Sequence, residues 1–372
     1  MLGKYDNLPS GHEILFNQAY GISNWYFANS SLSVTSYTLT DKSVNFYAVP
    51  NVIEVTSQDD LAAISTDLAG NYILLNDIVL NENEAGFDSD GWIPIGSYPN
   101  VFTGVFNGNR YKITNLWINR PLNTYVGLFG YTTYKAKISN LGVEIAEGKS
   151  VRGDNRVGGI VGYLEDSFIT NVYSLGNING ITHVGGIVGG TECVSIINAY
   201  SIGNINGSGE VGGIAGQAAV YSNITNTYSI GNISGNKYIG GIAGYIDYGS
   251  NISNNIAINS LVNGSNYTSR VVGYIGTSSV NSVVSNNFAL DNMTGGVNYD
   301  GATNSFSNSG NISYHGTDKT EAELKIQETY SDAIEGDGLG GLGWQFGDNN
   351  TAPWKIESNK NNGYPYFYWQ EL

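Results

Sequence analysis

Residues 157–163 read VGGIVGY, and the chain restates that phrase as VGGIVGG from Val184, VGGIAGQ from Val211 and IGGIAGY from Ile239. The copies start 27, 27 and 28 residues apart. A fixed period of this size marks a stacked repeat architecture, in which each unit buries its apolar face only against its neighbours. A second block follows each copy: ITNVYSLGNING from Ile169, IINAYSIGNING from Ile196 and ITNTYSIGNISG from Ile224. Weaker forms begin at Ile252 and Val284, and ITNLWIN from Ile113 and ISNLGVEI from Ile138 share the opening. The shared asparagine falls at Asn115, Asn140, Asn171, Asn198, Asn226, Asn254 and Asn286, at intervals of 25 to 32 residues.

Each unit holds short β-favouring pieces divided by Gly, Asn and Ser, with no helix-length apolar pattern. The prediction is an all-β chain, a parallel β-helix of about 27 residues per coil. Branched apolar residues would stack inside, and the seven asparagines would form a ladder along the axis, each amide bonding the next. In GGIVGY the isoleucine and valine are expected to alternate in and out. The flanking glycines are expected to allow positive φ and close backbone approach at a corner. A dinucleotide loop would need a G-x-G-x-x-G turn opening a helix, and no helix follows any copy.

Two helix starts flank the array: Ser57 three residues before Asp60, and Thr320 three residues before Glu323. Both are read as short capping helices. The aromatic ending, with Trp344, Trp354, Tyr364, Tyr366 and Trp369, is read as a plug over the last rung. The expected division is an N-terminal β extension or small module over residues 1–51, the β-helix over 52–312 and a helix-plus-aromatic cap over 313–372.

Composition narrows the function. Charged residues are 13% of the chain, about half the usual share, and the net charge is −16. So acidic a surface repels phosphate backbones and anionic lipid, which argues against nucleic-acid and membrane-surface partners. Cys193 is the sole cysteine, so no internal disulfide or multi-cysteine metal site forms, and its apolar setting predicts a buried thiol. No apolar run is long enough to span a bilayer, and no signal peptide is visible. Few lysines and many Asn, Ser, Thr and Tyr suit an extracellular bacterial surface.

The VGGIVGY copies, and YVGLFGY from Tyr125, resemble the GLUG motif of bacterial surface proteins, including large adhesins and IgA-peptidase-like proteins. The resemblance extends through VTSQDDLAAISTDLAGNYILLNDIVL from Val55, GWIPIG from Gly91, FTGVFNGNRYKITNLWI from Phe102 and the ending WKIESNKNNGYPYFYWQ, so it covers roughly residues 52–372. It implies a right-handed parallel β-helix on a secreted or surface-anchored protein, and it carries no catalytic residues over. The fifth copy, TSRVVGY from Thr268, has lost both leading glycines, which predicts either an array degenerating toward the C-terminus or a remodelled corner.

Several side-chain groups are candidates for chemistry. Tyr131, Tyr163, Tyr245 and Tyr274 share one position after the glycine block, either as a sugar-stacking row facing water or as core. Tyr173, Tyr200 and Tyr228, with Phe288 continuing them, form a second row expected to be core or half-buried. Glu165, Asp166, Glu192, Glu210 and Asp247 lie in the array, and paired carboxylates on one edge would suit glycoside cleavage; the plainer reading is a solvated acidic edge. Asp88 and Asp90, and less so Glu335 and Asp337, are calcium candidates, although neither stretch completes a calcium loop. Arg152-Gly153-Asp154 spells RGD in an expected loop.

These readings combine into a monomeric, non-catalytic adhesin domain without a cofactor, calcium being the one ion considered. Its expected partner is a host or bacterial surface glycan or protein, met along a lateral face. The alternatives are an extracellular carbohydrate-active enzyme and a structural stalk.

Overall fold

In the computed structural model, side chains are described over residues 52–276, 281–295, 314–331 and 341–370; of the first 50 residues, only the backbone of six short strands is described. Those strands, which include Glu13–Leu15, Ser36–Thr38 and Ser43–Val49, pair antiparallel with one another. Residues 296–312, the expected end of the array, and the calcium candidates Glu335 and Asp337 lie outside the described residues.

From Val52 the pairing is mainly parallel. One coil comprises strands Asn155–Gly158, Val161–Glu165, Phe168–Leu175 and Asn177–Asn179. The next comprises Thr182–Gly185, Val188–Glu192, Ser195–Ile202 and Ile205–Asn206. Stacked coils build sheets of five, six, fourteen and nine strands, one per side of the solenoid. The period places like above like: Val157, Val184, Val211 and Ile239 form one column, and Ile169, Ile196, Ile224 and Ile252 another. All eight are at most 1% exposed. Each such side chain contributes roughly 1.5–3 kcal/mol by leaving water. At the N-terminal end the helix Gln58–Ala63 carries the expected capping box on Ser57 and Asp60 and buries Leu61.

The glycine block works differently from its sequence reading. Ile160 and Val161 do not alternate: both are 0% exposed, because the corner between two strands turns both inward. None of the block glycines has positive φ. They are needed for close approach alone. A Cβ on Gly186 would lie 2.3 Å from Gly213 O and 2.3 Å from Ser201 Oγ, and one on Gly162 would lie 2.4 Å from Tyr125 C. At the degenerate fifth corner Arg270 stands where the second glycine should be. Its guanidinium, 1% exposed, donates to His315 O, Gly316 O and Asp318 Oδ1, so this corner is remodelled as expected.

The asparagine ladder forms with two corrections: Asn115 stands outside it, and no side-chain bond joins Asn226 to Asn254 among the described residues. Asn171 Nδ2 donates to Asn140 Oδ1 at 3.1 Å, Asn198 to Asn171 at 3.0 Å, Asn226 to Asn198 at 3.4 Å and Asn286 to Asn254 at 2.5 Å. Below Asn140 the partner is Asn107 at 3.0 Å, not Asn115. Strand Val105–Asn107 pairs with Lys137–Ser139, whereas Ile113 pairs with Val143, so Asn115 falls beyond the ladder and is exposed. All seven predicted asparagines have φ between 51° and 62°, a left-handed conformation that asparagine tolerates better than most residues.

The C-terminal aromatics are not a plug over the last rung. Residues 341–370 form a strap along the side of the fourteen-stranded sheet. Tyr173, Tyr200 and Tyr228 stack with centroids 5.2 and 4.8 Å apart, and the strap covers them: Trp369 lies 5.6 Å from Tyr173, Phe367 5.5 Å from Tyr200 and Trp344 6.3 Å from Tyr228. Gln370 Nε2 donates to Tyr200 Oη, Tyr228 Oη donates to Pro365 O, and Trp354 Nε1 donates to Asn198 Oδ1. The three tyrosines are buried as expected, but beneath the strap. The row does not run on to Phe288, because Ile256 intervenes in the column. The second helix signal yields a short 3₁₀ turn, Glu323–Lys325, with Thr320 and Glu323 capping reciprocally.

Candidate functional site: a tyrosine face with two aromatic clusters

Strand pairing places Tyr131, Tyr163, Gly190, Gln217, Tyr245 and Tyr274 in one column of the six-stranded sheet. All four predicted tyrosines therefore share a column, broken in the middle by a glycine and a glutamine. Beside it runs a column that the sequence reading missed: Tyr125, Arg156, His183, Glu210, Tyr238 and Tyr267, every one with φ between 49° and 62°. Its signal was present, since each residue directly precedes the Val, Ile or Thr at the start of a glycine-block copy. These corner bulges push their side chains across to the tyrosine column.

Two clusters result. In the first, Tyr131 lies 5.1 Å from Tyr125 and 5.0 Å from Tyr163, and the Arg156 guanidinium sits 4.3 Å over Tyr163 and 5.4 Å over Tyr125. In the second, Tyr238 lies 5.6 Å from Tyr245, 5.1 Å from Tyr267 and 4.8 Å from Tyr274, with Lys237 Nζ 4.4 Å over Tyr238. Tyr163 is buried at 8% exposure, while the other six rings are half-buried. Of the six, Tyr125 and Tyr131 flank Tyr163, and the other four make up the second cluster. Between the clusters the column is lowered at Gly190 and Gln217.

The phenols are tied to carboxylates. Tyr131 Oη donates to Glu165 at 2.5 Å, Tyr163 to Glu192 at 2.9 Å and Tyr245 to Asp247 at 2.9 Å. Burial, and then the adjacent carboxylate, hold all three phenols protonated well above the usual tyrosine range. Glu165 and Glu192 are direct neighbours in their column, with Asp247 beyond Ala219, so these acids share one edge. Burial raises the Asp247 carboxyl above the ordinary range, against the bond from Tyr245. His183 is pulled down to about 4 by burial and by Arg156. Its ring is therefore neutral at pH 7, and its 3.6 Å approach to Glu210 is not an ion pair. Glu210 sits on the corner column and Asp166 on an exposed corner, apart from the acidic edge.

The remaining candidates separate. Asp88 Oδ1 accepts from Arg120 Nη2 at 2.6 Å and from the Asp90 amide at 2.8 Å, so a guanidinium stands where a calcium ion would need to be. Arg120 holds the Asp88 carboxyl below its ordinary range. Among the described residues, no group of three or more His, Cys, Asp or Glu is placed to hold a metal ion. Arg152-Gly153-Asp154 is not a loop tip. Arg152 ends a strand, Gly153 is buried, and Asp154 O accepts from the amides of Ile181 and Thr182. Cys193 is exposed rather than buried: it occupies a left-handed corner, φ 55°, and Val194 takes the inward position. Among the described residues no helix is long and apolar enough to cross a membrane.

No family model matches the chain. Over 51 residues, 14% of its length, it is 47% identical to a "Putative Gly-rich membrane protein" of Evansella cellulosilytica, covering 6% of that protein. Over 136 residues, 34% of its length, it is 34% identical to Halomucin of Haloquadratum walsbyi, covering 1% of that protein. The chain thus spans only a small part of these curated relatives. The crystal structure of a "putative immunoglobulin A1 protease" from Bacteroides ovatus matches it with a TM-score of 0.61, over 85% of this chain and 92% of that one, at 24% identity. That likeness is one of architecture: the chain is a parallel β-solenoid of the kind solved in that protein.

Proposed function

We propose that this chain is a non-catalytic binding segment of a secreted or cell-surface protein, an adhesin module of the GLUG-repeat type that takes glycan along its tyrosine face. The observation that carries this reading is the pair of half-buried tyrosine clusters on one lateral face. Such rings offer an apolar plane to a sugar, and the hydroxyls of Tyr131 and Tyr245 are already fixed by Glu165 and Asp247. Tyr131 and Tyr245 stand four coil steps apart, about 19 Å at roughly 4.8 Å per step, a span that a short oligosaccharide bridges. The repeat motif, and a partial relative named "Putative Gly-rich membrane protein", support this reading.

The test is a glycan and extracellular-matrix array with the purified chain. Tyr131→Ala and Tyr274→Ala, one in each cluster, should each weaken binding about tenfold, equivalent to about 1.4 kcal/mol. Binding indifferent to both substitutions, or absent throughout, would sink the reading. The shared edge of Glu165, Glu192 and Asp247 favours glycoside cleavage as the second reading. Release of reducing ends from a bound glycan, abolished by Glu192→Gln, would replace the adhesin with an enzyme.

A further inference from the structure

A second candidate region lies on another side of the solenoid, near its N-terminal end. An open cleft of about 740 Å³ is lined by Glu82, Glu84, Asn115, Trp117, Glu147 and Lys149, among others, a volume in the range of small-ligand sites. It is distinct from the tyrosine face, which belongs to the five- and six-stranded sheets; Asn115 comes from a strand joined to the fourteen-stranded sheet, and Lys149 directly precedes a strand of the nine-stranded one.

Three features of the cleft point the same way. First, Lys149 Nζ lies 4.7 Å over the Trp117 ring, although three carboxylates line the same cleft. The chain's own ammonium marks the indole face as a cation position. Second, the lining carries three carboxylates against one ammonium. Glu84 accepts from Asn81 Nδ2 at 2.8 Å, whereas Glu82 and Glu147 have no hydrogen-bond or ion-pair partner among the described residues. Third, Asn115 repeats the ladder signature but stands outside the ladder, with an exposed amide bonded to nothing among the described residues. A carboxamide offers both donor and acceptor, as adjacent sugar hydroxyls require.

We propose that this cleft binds a saccharide bearing a free primary amine. The ligand ammonium takes the place of Lys149 over Trp117 and is neutralised by Glu82 and Glu147, the pyranose stacks on the indole, and its hydroxyls bond the Asn115 amide. Acidic sugars are repelled by the carboxylate excess, and N-acetylated sugars lack the cation.

The experiment uses the full chain and follows tryptophan fluorescence and titration calorimetry at pH 6.5. The probes are the glucosamine trisaccharide, its N-acetylated counterpart, a galacturonate trisaccharide and trilysine. The glucosamine trimer should bind at least tenfold more tightly than the N-acetylated form, and galacturonate should not bind. Trp117→Ala should abolish binding and Trp117→Phe should weaken it, while Lys149→Met should strengthen it several-fold by vacating the ring. Tyr131→Ala and Tyr274→Ala should leave it unchanged, so failure of the tyrosine-face reading and failure of this one are told apart. The proposal is overturned if no probe binds, if galacturonate binds equally well, if Trp117→Ala and Trp117→Phe are both without effect, or if trilysine binds more tightly than the sugar.

Discussion

At the residue scale, this solenoid is governed by which atoms cannot be added at its corners and which can be tolerated there. The block glycines exclude a Cβ that the next coil's carbonyl would meet, and the ladder asparagines hold left-handed corners while bonding along the axis. Asp247 is the costly residue of the tyrosine face, because burial raises its folded pKa above the ordinary carboxylate value. A carboxyl raised in this way contributes stability that is complete below its unfolded pKa and is lost as pH rises through the folded value. Asp247→Asn should therefore stabilise the chain at pH 7 and have no measurable effect near pH 3, read by urea unfolding at the two pH values. Equal effects at both would show that the residue is not titrating in this environment. The glycines and the ladder were legible from spacing. The burial of Tyr163 was not, because it depends on Arg156, which lies in the preceding strand and bulges across.

At the element scale, the strap sets this solenoid apart from a free stack of coils. A repeat array with only nearest-neighbour contacts unfolds piecemeal, but here one segment crosses the coils carrying Tyr173, Tyr200 and Tyr228 and bonds to each of those levels. Trp354 is central to it, at 0% exposure, 4.6 Å from Trp344 and 4.5 Å from Phe367. Trp354→Ala should cost about 3–5 kcal/mol and split a single urea transition into two, with new binding of a hydrophobic dye as the tyrosine column is uncovered. A single unshifted transition would mean that the strap does not couple the coils. The aromatic ending was visible in the sequence, but its docking place was not. A plug and a strap need the same residues, and only the tyrosine stripe it covers distinguishes them.

At the scale of the whole molecule, a net charge of −16 is spread over a chain with 16 Lys and Arg. Self-repulsion of this kind is screened by salt. The melting temperature should rise by about 1–2 °C between 20 mM and 500 mM sodium chloride, an effect on the order of 1 kcal/mol for a chain of this length, read by circular dichroism. A melting temperature that falls instead would mean that attractive pairs such as Lys112–Glu144 outweigh the repulsion.

Spacing along the chain was enough to specify the solenoid, its period, its apolar columns and most of its asparagine ladder. A repeat repeats its own physics, so one coil read correctly specifies the others. Tertiary structure alone decided what the repeat does not contain. It moved Asn115 out of the ladder into a cleft beside Trp117, laid the C-terminal aromatics along a side, and gathered Tyr125, Tyr238 and Tyr267 around the predicted tyrosines. Each outcome depends on register between segments far apart in the chain, and that register is set by hydrogen bonding across coils.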